Sequence, residues 1–594
     1  MQPENDGHKS SVQSEVSNDS TVNHNIVTAP NNEQEKTPAQ PETPIDPLEE
    51  ARLQKAKRTK RILTFLGLQI SLFLAALDST IVATALPRIG SDFNKMDIVS
   101  WVATAYILTF DAFQPLFSKF SDIFGRKLVL IFGICLFLFG SILCGAAKSI
   151  VMLIIFRAVS GIGGAGIFSM VFVIISDIVP LEKRGSYQGL INAVFAMSSI
   201  FGPLIGGSFT EYVSWRWNFY INLPIGGAAL AVLFFFLDLP VPKGKLIDKL
   251  KRVDYVGTVI VLSFSTLFLL ALNFGGQAFP WKSAAVIAPL VISIALVGLL
   301  CLVESKFAKE PLMPPRLFKN RSVLGALLTN WFFGMSFLGM LYYLPVYFQV
   351  VRHDTAMWSG IRLIPMQMIV CTVSTSTGFL ISKTGRYRPL LSIGLALLSL
   401  CLGLLSLFDK NTSWSRVYGF TIIGGLGMGC MFASSVIALQ AAVEKKDIAV
   451  VTGLGSFSRI LGGALGVAIA STIVNSTLTQ DLPLRIPSEQ AQQVLQSSAY
   501  VHNGLPEEYL DTVLEVYTEG LQLVWHVLTG MAGAGFISSL FIKHHEMRKR
   551  GPPIKEEEKT PTDEIVIPPQ ENIEGAVIVD VADTKKEEPA KSRL

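Results

Sequence analysis

Two stretches, SKFSDIFGRK at 118–127 and GFLISKTGRY at 378–387, align without a gap at an offset of 260 residues and share a Gly-Arg pair. Each is a short basic segment between long apolar runs. Working outward from them, runs of about 20 apolar residues, enough to cross ~30 Å of hydrocarbon, fall near 62–86, 101–120, 128–147, 150–176, 188–208, 218–238, 254–274, 284–304, 323–344, 357–381, 389–408, 417–442, 449–475 and 520–542. The two related segments follow the second and the tenth run. Parallel halves of a membrane protein keep such weak similarity between corresponding loops. The expected architecture is therefore an all-α polytopic membrane protein with fourteen spans in two six-helix bundles. These occupy 61–240 and 322–545, with an inserted helix pair at 241–321 and disordered tails at 1–60 and 546–594. An outer loop, 476–519, breaks the short-loop pattern; its "SEQAQQVLQSSAY" and "EEYLDTVLEVYTEG" are amphipathic and suit a short helical cap.

Charge supports this reading. Of 594 residues, 50% are hydrophobic and only 16% charged, where a soluble chain carries about a quarter. The formal net charge of +4 conceals a segregation. Residues 1–50 hold 10 acids against 2 bases, and 551–594 hold 11 against 6, which leaves 42 bases against 25 acids in between. Twenty of those bases sit in six loops on the side of the termini, so both termini are expected in the cytoplasm. Short basic clusters between apolar runs mark topology and exclude a nucleic-acid partner. Sequons at Asn411 and Asn475 fall on the expected exterior and are candidate glycosylation sites, although Asn18 and Asn320 head sequons on the cytoplasmic side.

Several activities lack their residues. No GxxxxGK[ST] phosphate loop occurs, so an ATP-driven pump is excluded. The six cysteines lie in apolar runs without CxxC spacing, and the seven histidines are scattered; neither a metal site, a cofactor nor an enzyme is expected. Residues 1–50 are polar and do not form a signal peptide.

Further motifs carry a specific resemblance. The first run contains Leu77-Asp78-Ser-Thr80-Ile-Val-Ala-Thr-Ala-Leu86-Pro87, and the fourth Arg157-Ala-Val-Ser-Gly161-Ile-Gly163-Gly164-Ala. The fifth contains Ser198-Ser-Ile-Phe-Gly202-Pro203-Leu-Ile-Gly206-Gly207. Trp215-Arg-Trp-Asn-Phe-Tyr-Ile-Asn222-Leu-Pro224 and Tyr347-Phe348-Gln349 follow. Together with the 118–127 loop, in which Ser118 and Phe120 replace a usual glycine and leucine, these resemble the major facilitator superfamily. The resemblance is to its fourteen-span fungal drug:proton antiporter branch. It implies export of drugs or toxic amphiphiles by alternating access, coupled to protons, by a monomer in the plasma membrane. The alternatives are a vacuolar basic amino acid transporter of the same fold, in the vacuolar or another endomembrane, and a non-transporting nutrient sensor. It also implies that Asp122, Gly125, Arg126 and Lys127 form a loop that latches the outward-facing state. The 198–207 motif is tied to exchange rather than symport.

The physical reading stands beside this. An ionisable group at a helix centre in a bilayer costs roughly 2.5–3.5 kcal/mol or more, so it is paired or functional. Asp78 and Arg157 lie at similar depth in the outer half and are expected to pair, either as a proton-coupling switch or as a static salt bridge. Asp111 is a second proton-coupling candidate, or a hydrogen-bonded residue beside a wet cavity. Gln69, Gln114, Asn192, Asn222, Asn330, Gln349, Gln440 and Arg459 are candidates to line a polar cavity, with interhelical hydrogen bonding as the alternative for each. Ser198, Gly202 and Gly206 recur every fourth residue, a smooth face expected at a rocking interface between the halves.

Overall fold

The computed structural model describes residues 47–95, 98–240, 242, 244–275, 279–308, 310–496 and 500–545. The tails 1–46 and 546–594 lie outside the described residues. Fourteen long helices fall on the fourteen expected runs. They are α1 (Pro47–Ile81), α2 (Trp101–Phe124), α3 (Arg126–Gly145), α4 (Ile150–Ile178), α5 (Leu181–Tyr212), α6 (Asn222–Phe236) and α7 (Tyr255–Phe274). The others are α8 (Ala284–Lys306), α9 (Arg321–Val346), α10 (Ala356–Thr384), α11 (Arg388–Leu405), α12 (Trp414–Ala441), α13 (Ile448–Arg485) and α14 (Glu507–Leu540). Among the described residues twelve helical stretches, including Trp217–Phe236 through α6, are long and apolar enough to cross a membrane by length and composition; α2 and α5 are not among them. Among the described residues the only β-type pairing is an isolated bridge between Gly275 and Phe279.

The chain divides into Met1–Thr59, described from residue 47 as the first turns of α1, and a unit from Lys60 onward that holds everything else. The expected tail to residue 60 is thus too long, because helix begins at Pro47. Local signals explain several other boundaries. Ser149, Asp254, Asn320 and Thr355 each accept a backbone N–H of the following first turn with their side-chain oxygens. Gly125, between α2 and α3, and Gly385, after α10, both have positive φ, at 103° and 72°. That conformation favours glycine, and the pair sit at equivalent places in the two related loops. Pro345 lies inside α9, which ends in a π-helical turn at Tyr347–Val351. Proline removes one backbone donor there, and the looser turn absorbs the change.

Residues of α1 to α6 form one apolar core, and α9 to α14 pack around another. α7 and α8 pair with each other, and α7 also touches α2 and α13. The two groups meet chiefly where α5 lies along α10 and α2 along α13. The expected outer loop is mostly helix: α13 runs on to Arg485, a short helix spans Ser488–Gln496, and α14 already begins at Glu507. Asn475 is consequently a half-buried residue inside α13, not a loop residue, whereas Asn411 is exposed in the turn between α11 and α12.

Candidate functional site

Beside the first core lies an ion pair that is almost completely buried. Arg157 Nη1 donates to Asp78 Oδ2 at 2.6 Å, and its Nε donates to the Val102 carbonyl at 3.1 Å. The guanidinium lies over the Tyr106 ring, 4.2 Å from its centre. The remaining carboxylate oxygen of Asp78 accepts Asn222 Nδ2 at 3.0 Å, and the same amide reaches Ser141 Oγ at 3.1 Å. Side chains of α4 and α6 therefore hold the carboxylate of α1, and α2 and α3 complete the network. Asn222 stands in this network and not on a cavity wall, because α6 turns its first residue inward against α3. Close packing makes the convergence possible: a Cβ at Gly161 would overlap Thr109 Oγ1 and the Tyr106 carbonyl, and one at Gly164 would lie 2.6 Å from the Tyr106 hydroxyl.

Gly202 and Gly206 pack against the end of α1, just past Asp78. A Cβ at Gly202 would overlap Thr80 Oγ1; one at Gly206 would lie 2.5 Å from the Ile81 carbonyl. Thr80 also donates to the Ser198 carbonyl at 3.2 Å. This face was expected between the halves, and it instead seats α5 on α1 within the first half. Gly207 faces open space. The contact across halves uses an earlier stretch of α5. A Cβ at Gly189 would lie 2.6 Å from Thr375 Cα, and Gly185 and Gly378 face each other backbone to backbone. Asn192 donates to Ser374 there, and the Ser186 N–H donates to Ser382 Oγ at 3.1 Å. Ser382 is the second-half counterpart of Asp122, so its hydroxyl serves as a hydrogen-bond acceptor where the first copy has a charge.

In the first copy Arg126 pairs with Asp122 and, through Nε, with Asp177 at 3.0 Å. Lys127 reaches the Phe234 carbonyl at 2.8 Å. Glu310, between α8 and α9, bridges Lys119 at 3.4 Å and Arg252 at 2.6 Å. The hydrogen-bonded Arg252 holds the Glu310 carboxyl below the usual carboxylate range. This tie between α2 and the inserted pair has no counterpart in the sequence reading, since it joins residues far apart in the chain.

Between the halves lies a cavity of about 360 Å³. Phe110, Phe168, Phe172, Phe195, Phe337 and Phe432 form most of its wall, with Ser79, Gln188, Asn192, Gln367 and Arg459 supplying polar groups. Of the expected polar residues only Asn192 and Arg459 belong to this wall. Asn330 donates to the Ala326 carbonyl of its own helix at 3.0 Å, and Gln349 donates to Ser359 at 3.3 Å. Gln440 accepts from Arg184 at 3.2 Å and donates to Thr452 at 3.1 Å, so it crosslinks α5, α12 and α13. Gln69 lies outside the wall with a buried carbonyl oxygen that has no partner. Gln188 and Gln367 escaped the sequence reading because nothing in their local pattern separates a cavity-facing amide from an interhelical one.

Asp111 and Gln114 are completely buried on one face of α2, and neither side chain has a hydrogen-bond partner. Ser118 continues the row and meets Gly453 of α13. Asp111 is not part of the cavity wall.

The chain matches the sequence profile of the Major Facilitator Superfamily over residues 68–467. It is 36% identical over 490 residues to the efflux pump dotC of Dothistroma septosporum, which covers 82% of this chain and 84% of that one. It is 35% identical over 506 residues to the efflux pump FUS6 of Gibberella moniliformis, covering 83% and 90%. The crystal structure of the human organic anion transporter MFSD10 superposes with a TM-score of 0.55 over 81% of this chain and 99% of that one; at 15% identity this shows the fold alone. Profile, relatives and helical architecture agree, and the chain belongs to the Major Facilitator Superfamily.

Proposed function

We propose that this multi-pass membrane protein exports amphiphilic small molecules, drugs or toxic compounds, in exchange for protons. Its two six-helix bundles rock about the central cavity, with α7 and α8 as the inserted pair and all fourteen helices spanning the bilayer. The carrying observation is the buried Asp78–Arg157 pair beside that cavity: Tyr106, which stacks on Arg157, and Ser79, next to Asp78, both line the cavity wall. The 36–37% identity to proteins named as efflux pumps supports the direction of transport.

In the proposed cycle, a proton entering from outside binds Asp78 Oδ2 and removes the charge that holds Arg157 Nη1. Arg157 keeps its bond to Val102 and its seat on Tyr106, so one charge moves without being expelled into hydrocarbon. The cavity is closed on the termini's side by the Gly185–Gly378 and Gly189–Thr375 contacts, which correspond to an outward-facing state. The Asp122–Arg126–Asp177 network belongs to that state and releases when the bundles rock. Asp111, buried without a partner, is the second place to which a proton binds. Both termini lie in the cytoplasm of a monomer in the plasma membrane.

The vacuolar basic amino acid alternative is disfavoured because the described cavity wall contains no carboxylate to receive a cationic side chain. The test is proton-driven uptake of a fluorescent amphiphile into inverted vesicles. Asp78→Asn is expected to abolish uptake while the protein still inserts at normal levels. Undiminished uptake by that variant would sink the coupling role of Asp78.

A further inference from the structure

Two arginines stand at membrane depth, Arg157 fully buried and Arg459 half-buried, and they are treated differently. Arg157 has Asp78. Arg459, on α13, has no carboxylate within ion-pair distance and no hydrogen-bond acceptor among the described residues. Its single polar contact is with a ring: the guanidinium carbon stands 5.4 Å from the centre of Phe432. It belongs to the wall of the central cavity, so the positive charge faces the space that holds the cargo. Guanidinium does not deprotonate in proteins, and a half-buried charge that faces an apolar cavity without a partner favours a ligand that brings the counter-charge.

We propose that Arg459 is the anion-recognition residue of this transporter and that its cargo is an organic anion: a planar apolar body bearing a carboxylate or a similar acidic group. The inference rests on the export reading above and names its substrate class. Three features of the cavity define that class. The volume, about 360 Å³, suits a small molecule. Phe110 and Phe168 on one side, with ring centres 5.4 Å apart, and Phe337 and Phe432 on the other, 5.3 Å apart, present edge-to-face aromatic walls that favour a flat ring system. Gln188 and Gln367 supply neutral donors and acceptors that orient without setting charge. Aromatic walls alone favour cations, but an uncompensated guanidinium in the same low-dielectric space repels them and leaves anions and neutral molecules.

The planar fork of Arg459 matches a carboxylate with two parallel N–H bonds. Binding an acid also relieves the unpaired charge, so the acid gains what an uncharged analogue of the same shape does not.

The test uses full-length protein purified in detergent and three probes with one naphthalene body: 1-naphthaleneacetate, its neutral amide, and 1-naphthylmethylamine as the cation. Wild type is expected to bind the acid at least ~10-fold more tightly than the amide, and the amine more weakly than either. Arg459→Gln is expected to weaken the acid by about 10-fold while leaving the amide within about two-fold, and Arg459→Lys to keep most of the preference for the acid. The inference is overturned if wild type binds amide and acid equally, if it binds none of the probes, or if Arg459→Gln weakens acid and amide alike. Acid-selective binding without proton-driven uptake of the acid into inverted vesicles leaves the recognition role of Arg459 standing and refutes export.

Discussion

Asn222 Nδ2 stands 3.0 Å from Asp78 Oδ1, so the carboxylate that pairs with Arg157 is held at both oxygens, by a cation on one side and a neutral amide on the other. The amide can stay in place whether or not the carboxyl is charged, whereas the arginine's attraction depends on that charge. Asn222 thereby fixes the position of the carboxyl while Arg157 reads its charge. Asn222→Ala is expected to insert normally and to lower proton-driven uptake by roughly tenfold, about 1.4 kcal/mol of lost positioning. Asp78→Asn is expected to lose it altogether. Equal uptake by Asn222→Ala and wild type would show that Arg157 alone suffices.

The glycines of α5 and α10 separate by position. Gly202→Ala meets Thr80 Oγ1, and Gly378→Ala meets the Gly185 carbonyl oxygen, a backbone atom that cannot swing aside. Gly207→Ala meets nothing within 4 Å. Uptake by the first two is expected to fall by about tenfold or more, and by Gly207→Ala to stay within about two-fold of wild type. For Gly378→Ala, cysteine labelling from the termini's side should also rise, because the contact closing that side is wedged open. Loss of uptake in Gly207→Ala, with the other two intact, would contradict this assignment.

His502 Nε2 donates to the Val350 carbonyl at 2.7 Å, and its ring lies 3.9 Å from that of His353. Partial burial lowers the His502 pKa from 6.5, against the pull of the Val350 carbonyl, and neighbouring His353 lowers it further. Above 6.5 the ring is neutral in folded and unfolded chains alike, and the contact keeps its full stabilisation. As pH falls below 6.5 the unfolded chain takes up the proton first, so stability is lost progressively as pH passes through the folded value. Limited proteolysis of the 486–506 segment is expected to accelerate between pH 7.5 and pH 5, and His502→Gln is expected to flatten that dependence. A pH-independent rate in wild type would refute the role of this histidine.

The two sequons are expected to behave differently. Asn411 is exposed in a turn, and Asn475 is half-buried within α13. Asn411→Gln should abolish any glycosidase-sensitive mobility shift, and Asn475→Gln should leave it unchanged. The reverse result would place α13's end elsewhere than Arg485.

Much of this was legible in residue order. Apolar runs located the fourteen long helices of the described residues, since a long apolar stretch satisfies its backbone hydrogen bonds within itself as a helix. The match in depth between Asp78 and Arg157 followed from rise per residue along two helices. Rotation about each helix axis was not legible. α4, which carries Arg157, is apolar on every face, so no periodicity tells which side meets α2 and which meets α3. The same ambiguity left Asn222, Asn330 and Gln440 open between a cavity wall and a hydrogen bond within the helix packing, and assigned the Gly202–Gly206 face to the junction of the halves.

By itself, then, the sequence determined the membrane character, the paired loops with a Gly-Arg pair in each, and the ionisable residues worth watching. These depend on local composition and on distance along a helix. Tertiary structure alone decided which face each helix turns to its neighbours. Close backbone approach at Gly161, Gly202 and Gly378 sets those rotations, and through them Arg157 receives a carboxylate and Arg459 does not. Depth along the helices pointed to the Asp78–Arg157 pair, and packing decided that Arg157 meets that carboxylate while Arg459 faces the cavity.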